Sequence, residues 1–257
     1  MIIILIFFLV LISTVILIIL INDFNVKGFY AREFKHKKIL FIYPHPDDET
    51  LASGGLISAL PKNNFFVISV TKGEKGNEKF KLSPKDLGKL RENEFRRAMA
   101  RLGVKNFEIW DFSDGGINTQ SHELFNKISD FIVKNKIDTV ATFERTGIYG
   151  HQDHVALSKM VNDLNTVSKL FSTLPLKIEK LYNIQGRIKN LDLVKNSNNE
   201  PPEFKIFTGF SIIKRYYALK SYRSQHLGHR LPLLLKLILM PFEYYTTNWT
   251  KEDVTNI

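Results

Sequence analysis

The sequence places an imidazole and three carboxylates within five residues, His45-Pro46-Asp47-Asp48-Glu49, directly after the apolar run Ile39-Leu40-Phe41-Ile42-Tyr43. A second cluster, His151-Gln152-Asp153-His154, follows the run Thr139-Val140-Ala141-Thr142-Phe143. Such groups are costly to take out of water unless they hold a metal or move protons. Each apolar run reads as a buried strand, and open α/β sheets gather their sites beyond the carboxyl ends of strands. Two clusters at two strand ends predict one site assembled from distant segments, the pattern of a mononuclear metal hydrolase. Neither is decisive alone. A lone Asp-Asp-Glu is usually a solvated helix start favoured by the helix dipole, and a lone His-x-x-His is a weak signal.

The segments that must position these groups alternate between strand and helix. Strands are predicted at 38–43, 65–71, 107–112 and 138–143, with helices over 51–60 and 122–136. Ser83-Pro84 reads as an N-cap followed by proline at the first helical position, opening a helix that runs to Leu102 and stops at Gly103. This alternation predicts an α/β fold with a Rossmann-like, doubly wound, mostly parallel sheet. Further on, 178–184 and 205–210 read as later strands separated by a polar loop at 196–202, and 216–222 as helix. Gly54-Gly55 follows the first strand without a Gly-x-Gly-x-x-Gly fingerprint, which excludes a nicotinamide cofactor.

Composition narrows the partners. Cysteine is absent, so a metal must be held by histidine and carboxylate, a donor set that suits zinc in an open catalytic site. The formal charge is +10, but no helix-turn-helix, zinc-finger or RNP pattern accompanies it, and nucleic acid is not an expected partner. A membrane surface fits better. Residues 1–21 are an uncharged apolar run, long enough at about 1.5 Å per residue to cross a hydrocarbon core of about 30 Å. The run lacks the basic start, short apolar core and small-x-small site of a cleaved signal peptide, and reads as a transmembrane signal anchor. Lys27, Arg32, Lys35, Lys37 and Lys38 follow it and no basic residue precedes it, so the positive-inside rule puts the domain in the cytosol. In that orientation Asn248-Trp249-Thr250 is an accidental glycosylation acceptor.

The expected organisation is an anchor at 1–21, a basic tether at 22–37, a catalytic domain at 38–230 and an apolar, aromatic segment at 231–257. Two readings of Leu231–Met240 stand open: a core-packing helix, or an interfacial segment with Tyr244, Tyr245 and Trp249 at headgroup level.

Pro44-His45-Pro46-Asp47-Asp48-Glu49, followed about a hundred residues later by the Gly-His-x-x-His-x-Ala-Leu-type segment at Gly150–Leu157, resembles the PIG-L/LmbE-like zinc de-N-acetylases. Further segments match in order: Thr71–Gly76, Arg91-Glu92-Asn93-Glu94 leading to Leu102-Gly103-Val104, Asp114-Gly115, and Lys220–Gln225. The resemblance implies an LmbE-like fold and Zn2+, or another divalent metal, held by His45, Asp48 and His154. It implies Asp47 as general base and His151 as the group that stabilises the oxyanion or protonates the leaving amine. Asp153 would orient and charge His151, and Tyr149 would help polarise the carbonyl. Amide hydrolysis needs this set of a water, a base, a polarised carbonyl and a proton for the amine. Arg91 and Glu94 read either as helix-face charges or, by resemblance, as residues near the site. Lys72 stands where relatives often carry arginine. Glu49 reads as a helix-start charge, His36, His122 and His229 as surface residues, and His226 is unassigned.

Three features resemble the branch that acts on N-acetylglucosaminyl-phosphatidylinositol: the anchor, the series Asn183, Arg187, Leu191-Asp192, and Ser224-Gln225 leading into an apolar stretch. Asp153 departs from that branch, which commonly carries asparagine. The implied reaction removes the N-acetyl group, the second step of GPI-anchor synthesis, at the endoplasmic reticulum membrane with a single span. A de-N-acetylase of another N-acetylglucosaminide and a non-catalytic glycolipid-binding subunit are the alternatives. The intact His45, Asp47, Asp48, His151 and His154 argue against the latter. The expected partners are a glycolipid and the membrane; no protein partner is implied.

Overall fold

Ile39–Tyr43 (β2) and Thr139–Phe143 (β5) are buried along their whole length and pair in parallel at the centre of the sheet. The computed structural model describes residues 2–76, 80–117, 122–182, 199–225, 227 and 232–247. Beside β2 lie Phe65–Thr71 (β3) and then Phe107–Phe112 (β4); beside β5 lies Ser168–Thr173 (β6). The sheet continues through Phe242–Thr246 (β8) and Phe204–Phe207 (β7) to Lys27–Tyr30 (β1), giving the order β1-β7-β8-β6-β5-β2-β3-β4. Every pairing is parallel except those of β8, which runs antiparallel to both β6 and β7. The chain leaves β2 toward β3 on one side and leaves β5 toward β6 on the other. The crevice above their carboxyl ends is therefore a topological switch point, where such sheets bind ligands.

Alternation along β2 feeds two cores. Ile39, Phe41 and Tyr43 pack with Leu56 of α2 (Asp48–Ala59) and Phe95 of α3 (Pro84–Leu102). Leu40 and Ile42 pack with Ile128 of α4 (His122–Asn135) on the opposite face, and Leu157 lies in that same cluster. The start and stop of α3 follow its local chemistry. Ser83 Oγ accepts the Asp86 N–H at 3.2 Å, Pro84 fills the first position, and Gly103 closes the helix at φ 79°. After β5 come the single turn α5 (Gly147–Gly150) and α6 (Gln152–Asn162), which carries Leu157.

The N-terminal helix α1 (Ile2–Ile21) is long and apolar enough to cross a membrane, with a mean hydropathy of 3.5 over Ile4–Ile21 and none of that window buried. Its end is fixed to the domain. Asn22 is buried, donates from Nδ2 to the Leu239 carbonyl at 2.7 Å, and accepts the Tyr244 hydroxyl at 3.1 Å.

Several local expectations change. Residues 22–37, expected as a tether, contain β1 as an edge strand of the sheet. The expected strand at 178–184 is instead helix α7 (Leu176–Tyr182), because Pro175 precedes it and Ile178, Leu181 and Tyr182 recur at helical spacing. Helix α8 is Ile212–Leu219 and helix α9 is Leu233–Leu239. Tyr244 and Tyr245 sit in β8, 2% and 0% exposed, and so do not reach headgroup level. Asn183, Arg187, Leu191, Asp192, His226, His229 and the acceptor at Asn248 to Thr250 with Trp249 lie outside the described residues.

Candidate metal centre

The turn after β2 delivers His45, Asp47 and Asp48 to the switch point, and the loop after β5 delivers His151 and His154. Hydrogen bonding sets the two imidazoles. His45 Nε2 lies 3.1 Å from both Asp114 Oδ1 and Asp153 Oδ2, so its Nε2–H donates there and its Nδ1 lone pair faces Asp48 Oδ2 at 3.2 Å. His154 Nδ1 donates to the Gly147 carbonyl at 3.1 Å, and its ring stacks on Phe143 with centroids 4.4 Å apart. That leaves His154 Nε2 facing Asp48 Oδ2 at 3.3 Å, buried and without a hydrogen-bond partner.

Three acceptors thus converge, and only a cation relieves them. Ligands bound to zinc at about 2.0–2.2 Å in a tetrahedral site lie roughly 3.3–3.5 Å from one another. The Asp48 contacts are close to that edge length, so His45, Asp48 and His154 fit a metal. Each imidazole also gives its other N–H to a carboxylate or carbonyl, the second contact that orients metal-binding histidines. The same demand for positive charge acts on protons. Burial lowers the proton affinity of His45, but Asp114, Asp153 and Asp48 outweigh it and hold the imidazole well above its usual range. Burial would raise Asp48, yet His154 and His45 pull it well below the carboxylate range.

Asp47 caps α2 in a backbone conformation that few non-glycine residues adopt, φ 111°. Burial pushes its carboxyl well above the usual range, with Arg91 opposing from 3.4 Å. Arg91 holds the turn: it donates from Nη2 to the Pro46 carbonyl at 2.5 Å and from Nη1 to the Gly73 carbonyl at 3.0 Å. His151 is the N-cap of α6, where Nδ1 accepts the Asp153 N–H at 3.2 Å and the ring proton is left on Nε2. Its ring centroid is 4.8 Å from that of His45, and burial, with His154 and His45 nearby, pushes its pKa down to about 4. Tyr149 completes the cluster, with its ring centroid 5.0 Å from that of His154.

Two expectations are corrected. Asp153 was expected to orient His151, but its carboxylate turns the other way. It meets His45 and accepts the N–H groups of Gly115 at 2.6 Å and Ile117 at 3.1 Å, because the 114–117 loop folds over the start of α6. Glu49 is no solvated helix start: it is fully buried and accepts from Thr50 Oγ1, the Tyr222 hydroxyl at 2.5 Å and the Asp47 N–H at 3.1 Å. Asp114 is the site residue that sequence reasoning missed. The Asp114-Gly115 step was legible as a loop, but nothing in it pointed to His45. The His45 hydrogen bond, working against burial, lowers Asp114 to about 2. Glu94 is buried and accepts the Ser224 N–H and hydroxyl at 2.9 and 2.6 Å, joining α3 to the Ser-Gln element. Lys72 pairs with Asp111 at 2.7 Å, away from the centre, and His36 and His122 are exposed.

Fold and site define a class: an LmbE-like α/β protein with a His/Asp centre suited to one metal ion. Residues 40–165 match the family described as PIG-L: GlcNAc-PI de-N-acetylase. A probable N-acetylglucosaminyl-phosphatidylinositol de-N-acetylase of Schizosaccharomyces pombe is 28% identical over 126 residues, covering 47% of this chain and 48% of the relative. The chain spans about half the length of the curated relatives it matches. Among solved structures, the N,N'-diacetylchitobiose deacetylase of Pyrococcus horikoshii aligns with a TM-score of 0.56 at 21% identity, over 75% of this chain and 72% of that one. GalB, the 4-carboxy-2-hydroxymuconate hydratase of Pseudomonas putida, aligns with a TM-score of 0.59 at 14% identity, over 86% and 99%. A hydratase shares this fold with deacetylases, so the reaction must be argued from the site.

Proposed function

We propose that this chain is a membrane-anchored, metal-dependent de-N-acetylase that converts N-acetylglucosaminyl-phosphatidylinositol to glucosaminyl-phosphatidylinositol and acetate, the second step of GPI-anchor synthesis. The observation that carries the reading is the convergence of His45 Nδ1, Asp48 Oδ2 and His154 Nε2, the last an orphaned buried atom, next to Asp47 and His151. These three residues would hold Zn2+ or another divalent metal, which when bound supplies an acidified nucleophilic water and polarises the carbonyl.

The remaining roles fall to the chain's own groups. Asp47, with its proton affinity raised by burial, takes the proton of the attacking water, while Arg91 holds the turn that aims it. His151 has Nδ1 occupied by the Asp153 N–H, so its Nε2–H is the hydrogen bond offered to the oxyanion, and the proton that Asp47 takes from the water is the one available to the leaving amine. Tyr149 helps polarise the carbonyl. Asp153 and Asp114 are positioning residues for His45.

The lipid part of the reading is supported by α1 and by the lipid named for the fission-yeast relative. It carries with it an endoplasmic reticulum location, a single span and a catalytic domain facing the cytosol. The deciding experiment measures acetate release from the glycolipid with purified protein, with and without chelation, beside Asp47→Asn. Expected is chelator-sensitive release that drops by about 10²–10⁴-fold in the variant at unchanged metal content. Release from soluble N-acetylglucosaminides alone would keep the chemistry and discard the lipid. Metal-loaded protein silent on both would favour a glycolipid-binding subunit.

A further inference from the structure

A cavity of about 350 Å³ opens beside Asp48. Its wall is mostly apolar, with Leu51, Phe143, Ile178, Leu219, Leu237 and Phe242 among the lining side chains, and the lining cation Arg215 is paired with Glu243 at 3.3 Å. A site for a sugar and a phosphate alone would present chiefly donors and acceptors, whereas this wall is mostly hydrocarbon over a volume typical of ligand pockets. Its cover is helix α9, which contributes Leu233, Lys236 and Leu237 to the wall, with Met240 following just after it. The same helix packs against α1 and α8, and its Leu239 carbonyl receives the Asn22 side chain at the end of α1. Leu234 and Leu235 of α9, and Phe24 just after α1, are exposed. The apolar surface of α1 therefore continues onto the helix that covers the cavity, and the cavity ends at a candidate metal ligand.

We propose that this cavity takes an alkyl chain of the substrate's lipid aglycone, admitted from the bilayer past α9. With the chain seated, the N-acetyl sugar lies at the His45, Asp48 and His154 centre. The inference rests on the preceding reading that the substrate is a membrane amphiphile, and it adds where the apolar part sits and how it enters. Lys236 covers part of the wall with its methylene stem and directs its ammonium to the Leu227 carbonyl at 3.4 Å, which keeps the charge off the hydrocarbon.

The test uses the full-length, metal-loaded protein in lipid nanodiscs and three N-acetylglucosaminides with methyl, octyl and dodecyl aglycones, each below its micellar concentration. Burial of each added methylene should lower KM by about fourfold until the cavity is filled, with little change in kcat. Leu237→Trp should collapse the ratio of kcat/KM for the dodecyl over the methyl substrate toward unity. Ile178→Phe is the second filling variant should the first fail to fold. Equal kcat/KM for methyl and dodecyl aglycones in active protein would overturn the proposal. So would a preference that follows the length of the N-acyl group at constant methyl aglycone.

Binding separates this proposal from the catalytic reading. Dansyl-undecanoate should bind, be displaced by the dodecyl glycoside and not by the methyl one, and lose binding in Leu237→Trp. That result in protein without turnover would uphold the cavity and discard the reaction. Absence of displacement would discard the cavity whatever the turnover.

Discussion

Asp48 and Glu49 are adjacent and both buried, yet they sit in opposite chemical situations. Glu49 has donors for both oxygens, from Thr50, Tyr222 and the Asp47 N–H. Three other buried glutamates resemble it: Glu94 is met by Ser224, Glu144 by Thr146, Ile148 and Glu200, and Glu243 by Gly55, Leu56, Tyr245 and Arg215. Asp48 Oδ2 accepts the His45 N–H at 3.0 Å, but otherwise faces two imidazole nitrogens whose protons point elsewhere. Buried carboxylates with donors hold segments together. Acceptors turned toward acceptors conserve no stability and make sense only around a cation.

That contrast can be broken at either end. The largest effect should come from His154→Ala, which removes the orphaned nitrogen: metal content should fall from stoichiometric to trace and kcat by more than about a thousandfold. Elemental analysis and turnover check it, and a variant that kept its metal would end the contrast. Asp114→Asn weakens the carboxylate behind His45 without touching the converging trio, so metal affinity should fall by about 10–100-fold in a chelator competition. Glu94→Ala should act in the opposite way, sparing metal content and costing about 1–3 kcal/mol by leaving the Ser224 N–H and hydroxyl unpaired, read by denaturant titration.

The smallest effect is a slope. Burial raises Glu144 above its ordinary value of 4.5, against the hydrogen bonds it accepts. A raised carboxyl favours the folded state while protonated, so its contribution is full below the unfolded value and is lost as pH rises through the folded one. Glu144→Gln cannot ionise. Its melting temperature should therefore fall less than that of the wild type as pH rises from about 4.5 toward neutrality. Parallel curves would show that Glu144 does not titrate in this range.

How much of this was legible depended on whether local chemistry or distant pairing decided each element. β2 and β5 are continuous apolar runs and announced both themselves and the clusters beyond them. β1 is a four-residue edge strand beginning Lys27-Gly28, with no periodic signal to reveal that β7 pairs with it. β8 carries Tyr244 and Tyr245, side chains as suited to a membrane interface as to a sheet interior, and only their burial separates the two. In α7 the apolar residues Ile178 and Leu181 were read at the wrong period. At the site, the two acid-and-imidazole clusters were legible from residue types, and His45, Asp48 and His154 were nameable within them only through the resemblance to a family. Asp114 and Glu49 were not, since an Asp-Gly turn and a helix-start glutamate look alike whether they face water or a histidine.

The position of β8 also bears on how the molecule is made. Among the described residues it is the last of the eight strands in chain order, yet it joins β6 to β7, and β1 is attached to the sheet through β7 alone. During synthesis α1 and β1 emerge well before β7 and β8, and β1 lacks its partner β7 until that strand has left the ribosome. The central strands can assemble while translation continues, whereas the half nearest α1 must wait for the pairing of Lys27 with Phe204. A nascent chain truncated before Phe242 should therefore hold a protease-resistant centre and a protease-sensitive N-terminal flank.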